Sequence, residues 1–352
     1  MWQSHVGCET GNRRMKDDAG SSPGRPNRPL AGATAWLITD DKIGMLVQCR
    51  GVADALGVTP VHKQVAPKGI WRVVSPWLGP APSERMGQTG ALFAPPWPDI
   101  AIATGRLSIP YLRRLRKLAG PKTFTVVLQD PKTGLGTADL IWVPEHDRLR
   151  GANVITTLTS AHSFPPARFA ALRATMPEEI SALPQPRVTV VLGGTGGGYA
   201  FADSDITRLG TALRVLAQAG ASFLITPSRR TPPALLAAVD VATAGAPRLL
   251  WRGEGKNPYP EFLAHADALI VTADSVNMTG EACATGRPVY VFFPSEGSPK
   301  FQRFHAALQT AGATRPLPDA PGSLEDWHYE LPDAAATIAA EIERRWLARR
   351  AH

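Results

Sequence analysis

The sequence predicts an α/β fold made of two successive parallel-sheet units. Two observations carry that expectation. Short apolar runs alternate with helix-like stretches along most of the 352 residues, the pattern of parallel strands joined by helical crossovers. The alternation stops at a Pro-containing break, MPEEISALPQPR (176–187), and then restarts.

In the first unit AWLITD (35–40) reads as a strand, followed by an amphipathic stretch, IGMLVQCRGVADALG (43–57). VHKQVA (61–66) and DIAIATG (99–105) follow as strands, then a basic helix at SIPYLRRLRKLAG (108–120). FTVVLQD (124–130), ADLIWVPEHD (138–147) and NVITTLTS (153–160) complete the unit. The second unit opens with RVTVVLGG (187–194), a helix near 203–218 and ASFLITPS (221–228). A helix near 232–239, PRLLWRG (247–253), a helix near 258–265, ALIVTA (268–273) and VYVFFP (289–294) follow. The segment DAAATIAAEIERRWLARR is a strong helix. The expected domains are therefore 31–180 and 187–330, with a closing helix over 333–352. Residues 1–30 are polar and rich in Gly, Ser, Pro and Asn, and read as disordered. Residues 67–98 interrupt the alternation with a Pro-rich stretch that carries Trp71, Trp77, Phe93 and Trp97. It is either a surface loop with tucked-in aromatics or an element that docks on a membrane or acceptor.

Composition narrows the partners. The formal net charge is +8, which suits nucleotide phosphates, phospholipid surfaces or nucleic acid. Nucleic acid is the weakest of these, because the charge is scattered and no basic-aromatic stacking motif is present. Cys8, Cys49 and Cys283 are far apart and form no CxxC, so neither a disulfide framework nor a zinc site is expected. No apolar run is long enough to span a bilayer, and the first 30 residues lack the apolar core of a signal peptide. The expected location is the cytoplasm, with a peripheral place on the inner membrane face.

The chemistry concentrates in the second unit. In VTADSVNMTGEACATGRPVYVFFP (271–294), Asp274 and Ser275 are N-cap residue types, and the helix after them carries Thr279 and Glu281. A helix N-terminus at the carboxyl end of a parallel sheet favours phosphate, and an acid farther along can accept bonds from sugar hydroxyls. Directly after the strand VTVVL comes a glycine loop holding Gly193, Gly194, Thr195, Gly196, Gly197 and Gly198. It reads as a phosphate or sugar contact, or as a flexible turn. It fits neither GxGxxG, because Tyr199 follows, nor a P-loop. No acid ends the next strand, which argues against NAD. Ser228, Arg229 and Arg230 end that strand as a diphosphate clamp or a solvated basic turn. Lys300, Arg303 and His305 neutralise phosphate or form a basic helix face.

In the first unit Asp40 and Asp41 follow the first strand, as a general base or as a helix cap. His146, between Glu145 and Asp147, is a candidate base with a raised pKa or part of a structural strand-end cluster. Apart from Asp40-Asp41 no DxD-type pair ends a strand, so no metal is expected.

Several segments in order carry a family resemblance: DDKIGM, FTVVLQDP, VPEHD, the glycine loop, SRRTP, GKNPYPEFLA, TADSVNMTGEACATGRPVYVF and KFQRFH. Over roughly residues 35–335 the chain resembles the plant mitochondrial-fission factors of the "elongated mitochondria" type and their bacterial homologues. The 271–294 segment is also similar to the donor-binding region of the glycosyltransferase that adds N-acetylglucosamine to the lipid-linked peptidoglycan precursor. The resemblance implies a GT-B-like fold, two Rossmann-like parallel-sheet domains facing an interdomain cleft. It implies that Glu281 binds the ribose of a nucleotide-diphosphate-sugar and that the glycine loop contacts phosphates. The nucleotide-sugar is then a co-substrate, with no further cofactor. An epimerase is disfavoured, since no tyrosine has Lys four residues on. Two functions follow as expectations: sugar transfer to a cell-envelope or lipid-linked acceptor, or a non-catalytic adaptor on an inherited fold.

Overall fold

The computed structural model describes residues 29–30, 32–40, 42–196 and 198–351. Of the residues singled out above, Asp41 and Gly197 lie outside the described set, as do the first 28 positions.

Two six-stranded sheets, all pairs parallel, make up the molecule. The first is built from β1 (Thr34–Thr39), β2 (Thr59–Gln64), β3 (Ile100–Thr104), β4 (Phe124–Leu128), β5 (Leu140–Pro144) and β6 (Val154–Thr157). Its order is β2-β1-β3-β4-β5-β6. Helices α1 (Ile43–Leu56), α2 (Ile70–Val74) and α3 (Ile109–Ala119) belong to it. The inner strands β1, β3, β4 and β5 read as nearly unbroken apolar runs because both faces are covered. Ala35 and Leu37 pack under α1, while Trp36 and Ile38 pack under α3.

The second sheet holds β7 (Arg187–Leu192), β8 (Ser222–Pro227), β9 (Arg248–Leu250), β10 (Ala268–Thr272), β11 (Val289–Phe292) and β12 (Thr314–Pro316). Its order, β9-β8-β7-β10-β11-β12, is the doubly wound Rossmann order. Five helices connect or flank these strands: α6 (Asp203–Gln218), α7 (Pro233–Ala242), α8 (Tyr259–Ala264), α9 (Val276–Cys283) and α10 (Pro299–Thr310). α4 (Pro166–Ala174) and α5 (Glu178–Ser181) precede β7.

The chain leaves the first unit earlier than the Pro-rich break suggests. Phe164 and Phe169 pack in the second unit's core with Val191 and Leu263, so α4 belongs there. Arg173 of α4 donates to the carbonyls of Ala264 (3.0 Å) and Thr285 (2.6 Å). The crossing segment, residues 159–162, is buried between the units. It is admitted by two glycines: a Cβ on Gly51 of α1 would strike the His162 carbonyl, and one on Gly280 of α9 would lie 3.3 Å from Thr159. A second crossing returns the chain to α11 (Ala334–Arg350), capped by Asp333, which accepts from the Ala336 N–H. Ala335, Ile338, Ile342 and Trp346 of α11 complete the first unit's core beside α1. Two Rossmann-like units, two crossings and a final helix packed on the first unit form a GT-B-like fold.

The aromatic residues of the 67–98 stretch are placed differently from one another. Phe93 and Trp97 tuck against Trp36, with ring centroids 5.8 and 5.9 Å apart in edge contacts. Trp77 stays exposed.

Candidate functional site

In a doubly wound sheet, ligands bind where the strand order reverses, beyond the carboxyl ends of the central strands. Here that point lies between β7 and β10. The glycine loop leaves β7, and Ala273, Asp274 and Ser275 leave β10, so the two most glycine- and cap-rich turns meet. Asp274 is buried there, and its Oδ2 accepts the Gly194 N–H at 2.8 Å. Its Oδ1 accepts the Thr272 hydroxyl at 2.7 Å, and that hydroxyl in turn accepts the Gly193 N–H at 2.7 Å. Burial raises the Asp274 pKa, opposed by the Gly194 N–H, the Thr272 hydroxyl and the charge of Arg230. The Arg230 guanidinium stands 3.7 Å from Oδ2 and also donates to the Thr195 carbonyl at 3.3 Å.

Glycine is required here for close approach. A Cβ on Gly193 would fall on the Asp274 carboxylate, and one on Gly194 on the Arg230 carbonyl. The tip of the loop closes on itself: Gly196 and Tyr199 exchange backbone bonds of 3.1 and 2.9 Å. Thus the N–H groups of Gly193, Gly194 and Gly196 already have protein acceptors. Asp274 is a strut for this loop, and Ser275 alone caps α9.

The first turn of α9 is only partly capped. Ser275 Oγ accepts the Met278 N–H at 3.3 Å, while the N–H groups of Val276 and Asn277 have no acceptor among the described residues. These donors stand at the positive helix end. The first turn of α9 touches the first unit through a side chain: Gln48 of α1 donates to Asn277 Oδ1 at 3.2 Å, and Gln129, after β4, donates to Gln48 Oε1 at 3.2 Å. A Cβ on Gly44 would lie 3.4 Å from Asn277 Nδ2. Gln129 holds φ at 82°, an uncommon value for a residue with a side chain. Thr279 is buried and its hydroxyl donates back to the Ser275 carbonyl at 2.9 Å, so it braces the helix from within.

Glu281 sits farther along α9, against α8. Its Oε2 accepts the Tyr259 hydroxyl at 2.7 Å. Burial pushes the Glu281 pKa up to about 7, against the Tyr259 bond and the Arg168 charge, both of which lower it. The same burial, with Glu281 beside it, raises Tyr259 well above the ordinary phenol range. Part of the Glu281 surface remains accessible.

The other residues singled out in the sequence fall in different places. Ser228 closes its turn by accepting the Arg230 N–H at 3.2 Å, and Arg229 is exposed. Asp40 is buried at the switch point of the first sheet, where its Oδ1 accepts the Lys42 N–H at 3.1 Å. Lys300 does not reach the second unit's switch point; its Nζ pairs with Asp147 Oδ1 at 2.6 Å, joining α10 to the loop after β5. His146, in that same loop, is buried, and its Nδ1 has no partner among the described residues. The raised pKa expected for His146 is corrected. Burial, with Lys300 and Arg303 nearby, lowers it to about 4 despite Asp147, so the ring is neutral at pH 7. The Arg303 guanidinium reaches the His146 carbonyl at 3.4 Å. Glu145 to Arg148, Arg150 and Arg303 line a depression of about 390 Å³ between the units. His305 holds the Ala273 carbonyl through Nε2 at 2.8 Å, fixing α10 to the exit of β10.

The structure thus brings together Gly194, Thr195, Gly196, Arg230, Asp274 and Ser275, with Glu281 on the same helix as Ser275. Asp40, His146 and Lys300 stand apart from them. Gln48, Gln129, Asn277, Tyr259 and Arg168 escaped the sequence reading. Tyr259, Gln129 and Asn277 carried a signal, lying in the segments GKNPYPEFLA, FTVVLQDP and TADSVNMTGEACATGRPVYVF.

Among the described residues no helix is long and apolar enough to cross a membrane. Comparison with known proteins gives three relevant likenesses. The chain is 30% identical over 277 residues to the Mitochondrial fission protein ELM1 of Arabidopsis thaliana, covering 72% of this chain and 65% of that one. It is 29% identical over 160 residues to an uncharacterized protein of Rickettsia prowazekii, covering 44% and 45% of the two chains. The matched region therefore spans less than two thirds of either relative. Among solved structures it is similar to an S. aureus MnaA–UDP complex, at 10% identity, a TM-score of 0.49 and 90% coverage of both chains. Residues 43–346 match the family described as Mitochondrial fission ELM1, and the chain belongs to that family.

Proposed function

We propose that this protein binds a nucleotide-diphosphate-sugar at the carboxyl edge of the second sheet and transfers the sugar to a cell-envelope or lipid-linked acceptor lying against the first unit. One observation carries this reading. The N-terminus of α9 lies at a Rossmann switch point, touches the opposite unit through Asn277, has two N–H groups without acceptors among the described residues, and continues into Glu281. Those N–H groups and the helix dipole suit a diphosphate. Arg229 and Arg230, both exposed beside the glycine loop, supply charge to the leaving nucleoside diphosphate. Glu281, released from Tyr259, accepts the ribose hydroxyls. The glycine loop backs the site through Asp274. An acceptor hydroxyl then displaces the diphosphate at the anomeric carbon. Asp40, at the first unit's switch point, and Asp41, its neighbour in the sequence, are the base candidates. His146 is set aside, because its free nitrogen is buried. The chemistry uses fixed dipoles and basic groups, with no metal and no cofactor beyond the co-substrate. The work takes place on the cytoplasmic side of the membrane.

A second reading, a non-catalytic adaptor of the fission-factor family, has its own support. Three glycine-loop donors and the Glu281 carboxylate are already bonded within the protein. Thermal-shift screening against nucleotides and nucleotide-sugars separates the two. Stabilisation by one nucleotide class supports transfer; no shift with any compound supports the adaptor.

A further inference from the structure

The 67–98 stretch carries a surface that sugar transfer does not use. Ile70, Val73, Trp77 and Leu78 are 68%, 70%, 61% and 54% exposed, four large apolar side chains within nine residues. No residue of α2 is buried, so this short helix is not held by an apolar face of its own. Polar bonds from elsewhere hold it. Arg106 donates to the carbonyls of Val73 (3.2 Å) and Ser75 (2.6 Å), and Arg113 of α3 donates to that of Trp77 (2.9 Å). The apolar projection is therefore fixed to the basic end of the first unit.

The surrounding charge is predominantly positive. Residues 67–118 contain eight Lys and Arg (Lys68, Arg72, Arg85, Arg106, Arg113, Arg114, Arg116, Lys117) against Glu84 and Asp99; of the eight, Arg116 is paired with Asp139 at 3.1 Å. Glu84 is engaged by the Tyr111 hydroxyl at 3.0 Å, and Asp99 accepts from Thr34 at 2.9 and 3.0 Å. Lys68 and Arg72 flank Ile70 and are exposed, and exposed Lys117 stands four residues from Arg113, on the same face of α3.

We infer that this face docks on an anionic phospholipid surface, with Trp77 and its apolar neighbours in the headgroup boundary and the lysines and arginines on the lipid phosphates. Indole and aliphatic side chains partition to that boundary, and cations beside them are drawn to negatively charged headgroups. A protein partner would need acidic groups ringed around an apolar hollow; a bilayer offers both features over any area. The docked face presents the first unit to molecules held in the membrane.

Flotation of the full chain with vesicles tests this. The protein is expected to float with phosphatidylcholine–phosphatidylglycerol vesicles, to stay behind with phosphatidylcholine alone, and to be released by salt. Ile70→Ser with Trp77→Ser should cut binding at least tenfold, and Lys68→Gln with Arg72→Gln about fivefold per charge removed. All four residues are exposed, so unchanged melting temperatures are expected and report that the variants fold. Equal flotation with both vesicle types, or wild-type binding by the Ile70→Ser, Trp77→Ser variant, would overturn the inference. So would a dimer in solution that this variant splits, with no lipid binding, which would give the face to a second copy.

Discussion

Glu281 makes the sharpest test of the candidate site. Burial pushes its pKa up to about 7, where an ordinary glutamate has 4.5. Between those values the folded protein holds a proton on Glu281 that the unfolded chain has lost. The folded state binds more protons in that window, so this group's contribution to stability falls as pH rises from 4.5 to about 7 and is level above it. The difference between these two values corresponds to about 3 kcal/mol. Glu281→Gln keeps an acceptor for the Tyr259 hydroxyl and cannot ionise. Relative to wild type, the variant should gain about 2–3 kcal/mol between pH 5 and pH 8, most of it before pH 7. Denaturant unfolding of both proteins across that range reads the difference directly. The reasoning fails if the difference is flat with pH, because Glu281 would then be an ordinary solvated carboxylate.

Other substitutions probe the frame around the site. Asp274→Ala leaves the Gly194 N–H buried without an acceptor and should cost about 1–3 kcal/mol by denaturant unfolding. Trp346→Ala opens the seam between α11 and the first sheet, and a loss of about 3–5 kcal/mol is expected. A melting temperature near wild type would show that α11 contributes little to that core. Lys300→Ala removes a partly exposed ion pair between the units and should change stability by no more than about 1 kcal/mol. A larger loss would mean that this pair holds the two units together.

Much of the fold was legible because buried parallel strands are short apolar runs, and VTVVL, ALIV and VYVFF could be little else. The unit boundary was less so. Pro-rich 176–187 looked like a linker, but the chain crosses at 159–162, where Thr159, Ser160, Ala161 and His162 are buried without a turn signal. β12 and α4 were also missed: one is three residues long, and the other has Phe169 as its sole fully buried residue. At the site, residue type showed where acids and glycines stand in the chain but not which way they face. Asp274 turns inward to the glycine loop, and Lys300 reaches the other unit. His146 has carboxylates on both sides in sequence, yet burial outweighs them and lowers its pKa. The Gln129–Gln48–Asn277 chain joins residues 81 and 229 positions apart, a proximity that no local pattern encodes.

The central claim is that Glu281 and the N-terminus of α9 hold a nucleotide. Calorimetric titration of UDP, GDP, ADP and CMP compounds, including their sugar conjugates, into wild type and Glu281→Ala tests it most directly. One compound is expected to bind wild type and to bind the variant at least tenfold more weakly, since each hydrogen bond to a charged group contributes about 1.5–3 kcal/mol. Equal affinity for both proteins would contradict the ribose role, and no binding to wild type would contradict the donor site itself.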